Sequence, residues 1–473
     1  MILARKMDGA GTRDEGRLRG QAWYALAVAF AVFFFLPKPV AADNPDVSDQ
    51  EMAYHALHVA PEVPAQHDKS LAWLTEHADK RAVASLVHLM RWQPEDVPTL
   101  RKILQRITGD DVGPKWFDWM VWLQEHPDYT PYEGFANFLS LSLVSLDPQF
   151  LRFVHEGVPH EIRLEEIVWG GVRVDAIPAL DNPKMISAVD AEYLNADDLV
   201  FGVEIGGEAK AYPLRIVNWH EMVNDVVGGT PVSLAYCTLC NAGILYAAQV
   251  AGRDQRLTFG SSGLLYRSNK LMYDRGTDSL WDQFTGRPVV GPLVGSNVSL
   301  RVLPLVTTQW HLWRAKHPTT KVLSLDTGFS RDYGPDAAYR DYFNSKDLMF
   351  PAAVKDRRLQ QKDLVFGLRA AGGTKAWPLT AFAGGKVIHD KVGLVEVVLI
   401  GNAEQRTVRA YESKGHKFTM SAPDLLRASD GYWRITEDAL VHSDGKTLAR
   451  LPGHLAYWFA WSGFFENATL GGN

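Results

Sequence analysis

Two cysteines are the residues whose types and spacing most directly indicate chemistry. Cys237 and Cys240 form a C-x-x-C motif in the string YCTLCN (residues 236–241), and the 473-residue chain has no other cysteine. This spacing lets two sulfur atoms bind one ion or close a short disulfide loop. A single C-x-x-C is compatible with a metal site, a redox-active dithiol or a structural pair, so the sequence leaves three hypotheses open.

The metal hypothesis needs ligands besides the two thiolates. We predict that His220, Cys237 and Cys240 bind copper or zinc, with Met272, Glu221 or an external group as fourth ligand. Five residues are predicted to surround and orient the ligands: Glu221, Asn241, Tyr273, Asp274 and Arg275. The sequence has no phosphate-binding glycine loop and no dinucleotide fingerprint, so we expect no nucleotide cofactor.

A metal site of this kind would serve electron transfer, metal carriage or metal-assisted chemistry. Two other functions compete with it. In a thiol–disulfide oxidoreductase, Cys237 would be the nucleophile and Cys240 the resolving thiol, although Gly243 and a β-like run follow the motif where such enzymes have a helix. In an interaction scaffold, the motif would only lock a loop, and an N-terminal helical region would bind a protein partner. Whether the protein is an enzyme is left open by these alternatives.

Composition limits the classes of function. Hydrophobic residues make up 46% and charged residues 22% of the chain, which is typical of a globular protein. The formal net charge is −6, so the sequence carries no basic excess and we expect no nucleic-acid partner. Two cysteines are too few for an iron–sulfur cluster with four cysteine ligands from this chain.

The N-terminus is typical of a secretory signal. Basic residues populate the first 20 positions, an uncharged apolar run extends from Ala22 to Leu36, and a V-A-A string ends at Ala42. We predict that residues 1–42 are removed and that the protein is exported to the periplasm. The alternative is an uncleaved N-terminal membrane anchor. After cleavage we expect that the mature protein is not an integral membrane protein.

Periodicity and an internal repeat predict an α+β protein with three parts. Residues 43–165 form an α-helical domain, and residues 166–335 and 336–473 form two tandem β-rich modules. The repeat is clearest where DLVFGVEIGGEAKAYPL (198–214) aligns without a gap to DLVFGLRAAGGTKAWPL (363–379). The second module is predicted to be a degenerate copy of the first.

Three features occur only in the first copy. They are the string WHE (219–221), the C-x-x-C motif, and a stretch at 263–275 that falls where the second copy is shorter. Positions shared by both copies are best explained by packing and turns. We therefore predict that the chemistry is confined to the first module.

Two long strings resemble a known family. The strings AYPLRIVNWHEMVNDVVGGTPVSLAYCTLCN (211–241) and FGSSGLLYRSNKLMYDR (259–275) are similar to the domain of unknown function 3179, DUF3179. The resemblance implies an exported bacterial protein, in agreement with the predicted signal. It implies no activity, and it carries no catalytic residue over to this chain.

Overall fold

The computed structural model describes residues 42–60, 64–250, 252 and 255–472. The predicted signal sequence lies outside the described residues apart from its last position, Ala42. The described residues belong to one compact unit. None of the helices in this part of the chain is long and apolar enough to cross a membrane.

The N-terminal part of the described chain is helical. Ser48 caps the first helix, because its side chain accepts from the N–H of Glu51 while the Glu51 carboxylate accepts from the N–H of Ser48. The fourth helix ends at Gly109, whose φ of 71° is readily adopted by glycine. The helices of this head are α1 Asp49–Val59, α2 His67–His77, α3 Val83–Trp92, α4 Val97–Thr108, α5 Trp116–Glu125 and α6 Phe135–Val144.

A first β-region follows the head and contains two short helices, α7 Leu214–His220 and α8 Trp310–Lys316. Its strands are β1 Ile167–Trp169, β2 Leu180–Asp181, β3 Met185–Ser187, β4 Leu199–Ile205, β5 Glu208–Pro213, β6 Met222–Val227, β7 Thr230–Cys237, β8 Ala242–Ala247, β9 Phe259–Tyr266, β10 Asn269–Asp274, β11 Leu280–Asp282, β12 Arg287–Val290, β13 Val302–Leu303, β14 Val306–Gln309 and β15 Lys321–Leu323. These strands form three sheets with the orders β1-β9-β10-β11-β12, β13-β8-β7-β6-β2 and β14-β4-β5-β15-β3.

A second β-region follows a connector that contains the short helix α9 Arg340–Asn344. Its elements are β16 Leu364–Ala370, β17 Gly373–Pro378, β18 Lys386–Val392, β19 Val395–Asn402, β20 Thr407–Glu412, β21 Thr419–Ala422, β22 Leu425–Ala428, β23 Gly431–Ile435, β24 Ala439–His442, β25 Thr447–Leu451, β26 His454–Tyr457, α10 Trp458–Phe464 and β27 Thr469–Leu470. The strands form two sheets with the orders β26-β16-β17-β27 and β18-β19-β20-β25-β24-β23-β22-β21.

One sheet of each β-region has the same arrangement of strands. β4 pairs antiparallel with β14 and β5, and β5 pairs parallel with β15; β16 pairs antiparallel with β26 and β17, and β17 pairs parallel with β27. A glycine lies under a tryptophan in both sheets. A Cβ atom would lie 2.3 Å from the Trp313 ring at Gly202 and 2.1 Å from the Trp461 ring at Gly367.

The main hydrophobic core is continuous across the three parts. It contains Leu86 and Trp119 of the head, Tyr246 of the first β-region, and Trp458 and Trp461 of the second, all buried. Helices account for 26% and strands for 32% of the structure, with helices concentrated in the head. The prediction of an α-helical N-terminal region followed by a β-rich remainder is therefore confirmed.

Candidate functional site

The C-x-x-C motif forms the loop of a β-hairpin. Cys237 is the last residue of β7 and is paired with Ala242, the first residue of β8. The N–H of Cys240 donates to the carbonyl oxygen of Cys237 over 3.2 Å, and Asn241 completes the turn with a φ of 50°. Asparagine adopts this left-handed conformation more readily than most residues. The cysteines thus lie in a strand-to-strand loop and not at the N-terminus of a helix.

The two sulfur atoms are in contact inside the protein. The Sγ atoms of Cys237 and Cys240 are 2.9 Å apart, and the two residues are 1% and 0% exposed. A disulfide bond measures about 2.05 Å, so a small change in the side-chain angles would bring the sulfurs to bonding distance. Both cysteines are free thiols in this structure.

Side-chain amides connect Cys240 to the surrounding sheets. The Asn269 Nδ2 atom lies 3.2 Å from the Cys240 Sγ atom and 2.8 Å from the Gln283 Oε1 atom. Gln283 in turn donates through Nε2 to the carbonyl oxygens of Ala235 and Ala242, at 3.0 and 2.9 Å. Because Ala235 and Ala242 belong to the hairpin strands, this chain of hydrogen bonds fixes the position of Asn269 relative to the sulfur.

The surroundings of Cys240 favour its neutral thiol. Burial raises the pKa of the Cys240 thiol well above its usual range, and the neighbouring Cys237 acts in the same direction. The hydrogen bond from Asn269 opposes both effects, because an N–H donor stabilises a thiolate more than a thiol. Asn269 is therefore the residue that makes ionisation of this buried sulfur less unfavourable.

A buried ion pair lies against the same loop. The Lys270 Nζ atom is 3.0 Å from the Glu221 Oε2 atom, and the hydroxyl of Thr238 donates to the Glu221 Oε1 atom over 2.9 Å. The two charged side chains are 4% and 8% exposed. Glu221 adopts a φ of 57°, where its N–H caps α7 through Val217 and its carbonyl oxygen accepts from the N–H of Tyr236. This left-handed backbone costs energy for glutamate, and the surrounding hydrogen bonds hold it in place.

Residues that follow the first β-region cover the outside of the loop. The hydroxyl of Tyr342 donates to the carbonyl oxygen of Leu239 over 2.6 Å. The backbone N–H of Tyr457 donates to the carbonyl oxygen of Cys240 over 2.8 Å. Burial and the nearby Glu221 carboxylate raise the pKa of Tyr339 above its usual range, which indicates that this third tyrosine lies beside the loop. The cysteines are therefore enclosed on the inside by Asn269 and on the outside by this layer of tyrosines.

His220 is bonded to other groups. Its Nδ1 atom donates to the carbonyl oxygen of Pro178 over 2.8 Å, its Nε2 atom lies 2.6 Å from the Tyr333 hydroxyl, and its ring packs against Phe329. Burial lowers the pKa of this imidazole, which favours its neutral form. Within the described residues, no group of three or more His, Cys, Asp or Glu side chains could hold a metal ion. The structure therefore does not assemble the predicted set of His220, Cys237 and Cys240.

Two other predicted site residues belong to the packing of β10. Met272 is fully buried and lies opposite Ser261 on one neighbouring strand and Trp281 on the other. Tyr273 donates its hydroxyl to the carboxylate of Asp175. Neither contact involves the cysteine loop.

Asp274 and Arg275 organise the turn after β10. The Asp274 carboxylate accepts from the N–H and the hydroxyl of Thr277 and from the Trp281 Nε1 atom, at 2.7 to 2.8 Å. Arg275 forms a 2.7 Å ion pair with Asp181. Of the five residues predicted to surround the ligands, Glu221 and Asn241 lie at the loop, whereas Tyr273, Asp274 and Arg275 contact other parts of the first β-region.

A comparison with family models assigns most of the chain to a family. The model described as "Protein of unknown function (DUF3179)" matches residues 174–468, which include both β-regions except the strands β1 and β27. The chain belongs to the DUF3179 family. The predicted resemblance is thus confirmed. No curated protein and no solved structure matches this DUF3179 chain.

Several residues of this site were not predicted from the sequence. Asn269 and Lys270 lie in the stretch 263–275, of which the prediction named Met272, Tyr273, Asp274 and Arg275 but neither of these two. Both residues are buried in a strand that is buried throughout. A lysine and an asparagine in such a strand need buried partners, which is a sequence signal for these positions. Gln283, Tyr339 and Tyr342 carry no comparable signal.

Proposed function

We propose that this DUF3179 protein carries a thiol–disulfide redox pair formed by Cys237 and Cys240. The observation that carries the proposal is the 2.9 Å separation of the two Sγ atoms within one hairpin loop. Support comes also from Asn269, which hydrogen-bonds Cys240 and favours its thiolate.

The co-substrate is an external disulfide, either a small molecule or a protein. The Cys237 thiolate attacks one sulfur of that disulfide, forms a mixed disulfide and releases one thiolate. The Cys240 thiolate then attacks the Cys237 sulfur, which closes the intramolecular disulfide and releases the second external thiol. Two electrons and two protons pass from the protein to the external disulfide, and reduction of the protein is the reverse reaction.

The tyrosines that cover the loop must move before this exchange can occur. Neither sulfur is reachable unless the contacts of Tyr342 and Tyr457 with the loop open. Exchange is therefore expected to be slow in comparison with enzymes whose nucleophilic cysteine is exposed. The same burial favours the second candidate function, an interaction scaffold in which a disulfide between Cys237 and Cys240 only locks the hairpin.

Copper or zinc binding is a competing proposal, but the structure offers it fewer protein ligands than the sequence predicted. Its support is the pair of soft sulfur ligands, which suit copper(I) and zinc. His220 is bonded to Pro178 and Tyr333, so a metal bound by the two thiolates would need its further ligands from elsewhere. The redox pair requires no further ligand, and we prefer it for that reason.

The organisation and the location of the protein are proposed from separate observations. An internal duplication, with modules at 166–335 and 336–473, is supported by the common strand arrangement of β14-β4-β5-β15 and β26-β16-β17-β27. Export is supported by the basic and apolar pattern of residues 1–42. An exported location would expose the thiols to an oxidising compartment, which suits a redox pair.

The deciding experiment is a redox titration of the purified mature protein in glutathione buffers, with free thiols counted by mass after alkylation. A reversible two-electron transition above roughly −300 mV, with a mixed disulfide trapped through Cys237 in Cys240→Ser, is the expected result. A disulfide that is reduced only at potentials below that value would support the structural lock instead. About one copper or zinc per chain that is lost in Cys237→Ser would support the metal proposal.

A further inference from the structure

Two of the tyrosines that cover the cysteine loop belong to the segment between β15 and β16. We call residues 327–342 of this segment the strap. Its residues 327–339 form no helix or strand, and α9 begins at Arg340. Tyr339 and Tyr342 form the end of the strap that lies against the loop. A segment without regular secondary structure opens more easily than a sheet, so the contacts that hold the strap determine access to the cysteines.

Two consecutive residues at the end of α7 hold the other end of the strap. The Trp219 Nε1 atom donates to the Asp332 carbonyl oxygen over 2.6 Å. The His220 Nε2 atom lies 2.6 Å from the hydroxyl of Tyr333. Both bonds fasten the strap to the first β-region several residues before its covering end.

The bond between His220 and Tyr333 is supported on both sides. The His220 Nδ1 atom lies 2.8 Å from the Pro178 carbonyl oxygen, which can only accept, so the proton of the neutral imidazole is on Nδ1. The Nε2 atom is then an acceptor, and the Tyr333 hydroxyl donates to it. The Tyr333 oxygen in turn accepts from the Thr327 hydroxyl over 2.7 Å. His220 is 0% exposed, and the Phe329 ring of the strap packs against it, so this anchor is enclosed.

The backbone between the anchored end and the covering end has an unfavourable conformation. Asp336 has a φ of 53° and Tyr339 a φ of 58°. A left-handed backbone is uncommon for residues other than glycine, above all for a bulky side chain such as tyrosine. Such a conformation persists only where contacts on both sides maintain it. Loss of an anchoring bond should therefore shift the strap toward open arrangements.

The string WHE (219–221) connects the strap to the cysteine loop. It aligns with GGK (384–386) in the predicted second copy, which has no cysteines. Glu221 accepts from the Thr238 hydroxyl inside the cysteine loop, whereas its two neighbours bond the strap. Three consecutive residues thus contact the loop on one side and its cover on the other.

Open space lies beside the strap. Pro335 and Asp336 line a cavity of about 950 Å³ that also reaches Asn241, the residue after Cys240. A displaced strap would extend this cavity to the loop. A cavity of this size accepts a small molecule such as an external disulfide.

We propose that Trp219 and His220 are positioning residues for the exchange reaction, because they hold the strap closed over the two cysteines. They act through the strap and not on the sulfurs. Opening of the strap admits the external disulfide and releases the external thiols, so the two anchors set the rate of exchange in both directions. The inference rests on the proposed redox function for its reaction, but access of a reagent to the thiols does not depend on that function.

The anchors should affect rates and not the redox equilibrium. The midpoint potential depends on groups that bond the sulfurs, such as Asn269, which hydrogen-bonds Cys240. The strap covers the thiols and the disulfide alike, so a weaker anchor speeds oxidation and reduction by the same factor. This equality distinguishes a positioning role from a change in the surroundings of the sulfurs.

The test uses Trp219→Phe and Tyr333→Phe, each of which keeps an aromatic ring and removes one anchoring hydrogen bond. Purified protein is reduced with dithiothreitol and desalted, and its alkylation by N-ethylmaleimide is followed by mass spectrometry. We expect each variant to react about fivefold faster than the wild type, as the loss of one hydrogen bond implies. Reduction of the oxidised form by dithiothreitol should accelerate by the same factor, with an unchanged midpoint potential in glutathione buffers.

Matched controls remove the same kinds of bond elsewhere. Trp169→Phe removes an indole bond to the Val172 carbonyl oxygen at 2.7 Å. Tyr411→Phe removes a hydroxyl bond to the Thr436 carbonyl oxygen at 2.6 Å. Both controls should react as the wild type does. Alkylation is repeated at urea concentrations below the unfolding transition, where a local opening gives a rate that hardly changes with urea, unlike global unfolding.

The outcomes separate this inference from the redox proposal. Alkylation of both anchor variants at the wild-type rate would overturn it. Equal acceleration in the controls, a steep urea dependence or a shifted midpoint potential would overturn it as well, because each indicates general destabilisation or a change at the sulfurs. A wild-type protein that lacks a reversible redox transition, while its anchor variants alkylate faster, would refute the redox proposal alone and leave control of access by the strap standing.

Discussion

Lys270 and Glu221 form an ion pair directly beneath the cysteine loop, with 3.0 Å between Nζ and Oε2. Glu221 follows α7, Lys270 lies on β10, and the hydroxyl of Thr238 between the two cysteines bonds the same carboxylate. Three separate segments of the first β-region thus meet at one buried charge pair. The pair holds the loop against the sheet.

Removal of one partner of this pair should be strongly destabilising. Lys270→Met leaves the Glu221 carboxylate buried without its counter-ion, and we expect it to lower the free energy of unfolding by about 3 to 5 kcal/mol. Urea unfolding followed by fluorescence measures this change. The control is Lys321→Met, because Lys321 pairs with Glu208 at 2.8 Å and is 58% exposed, so that solvent screens the pair and its loss should cost much less than the loss of Lys270. Equal effects of the two substitutions would contradict a special role for the buried pair.

The tyrosine layer should control how fast the thiols react. Tyr342→Phe removes the hydrogen bond to the Leu239 carbonyl oxygen, and we expect the reduced protein to be alkylated by N-ethylmaleimide about fivefold faster, since the loop then opens at a smaller free-energy cost. Mass spectrometry of timed samples gives the rate. Tyr54→Phe, at an exposed tyrosine of the head, is the control and should not change it. An unchanged rate in Tyr342→Phe would mean that access depends on other contacts.

The matching glycines should be intolerant of a methyl group in both β-regions. Gly202→Ala and Gly367→Ala would each press a Cβ atom into a buried tryptophan ring, and each should cost about 2 kcal/mol or more. The control is Gly463→Ala, because Gly463 lies in α10 with open space around its Cβ position and alanine favours a helix. Thermal unfolding of the three variants checks these expectations. Stability of Gly367→Ala equal to the wild type would count against a common packing in the two β-regions.

One buried histidine should give the protein a pH-dependent stability. Burial lowers the pKa of His88 to about 4, and its Nε2 atom bonds the Glu165 carbonyl oxygen. Between pH 4 and 6.5 the unfolded chain therefore binds more protons than the folded one. The stabilisation is complete above about pH 6.5 and is lost as the pH falls through 4, by roughly 3 kcal/mol for this residue.

Urea unfolding at several pH values between 4 and 7 measures this dependence. His88→Gln keeps an N–H donor for the carbonyl oxygen and has no titratable group, so its stability should vary less with pH over this interval. Parallel curves for the variant and the wild type would show that His88 does not titrate as its burial implies.

The sequence predicted the main elements because local patterns determine them. The head is helical where apolar residues recur at helical spacing, and the string shared by residues 198–214 and 363–379 forms strand pairs with the same register in β4–β5 and β16–β17. The motif Cys237-x-x-Cys240 also places both sulfurs in one loop, whatever the tertiary structure. Such features depend on residues that are near each other in the chain.

The predicted ligand His220 shows why the other residues of the site could not be predicted from the sequence. His220 and Glu221 are adjacent in sequence, but α7 ends at this point and Glu221 takes a left-handed backbone. As a result, Glu221 contacts Thr238 of the loop, whereas His220 contacts Tyr333 of the connector. Sequence spacing does not reveal which of two neighbours faces a site when the chain reverses direction between them. The partners Asn269 and Gln283 depend likewise on how separate strands are placed together.

The hydrogen bond from the Tyr457 N–H group to the Cys240 carbonyl oxygen has an evolutionary consequence. Tyr457 lies in the second β-region, so the two halves of this protein share a bond at its most distinctive loop. A shortened relative that retained only the cysteine-bearing half would leave this carbonyl oxygen uncovered. Water would then reach it, and the cysteine loop would lose one of the contacts that close it. The half without cysteines therefore takes part in closing the loop that carries them.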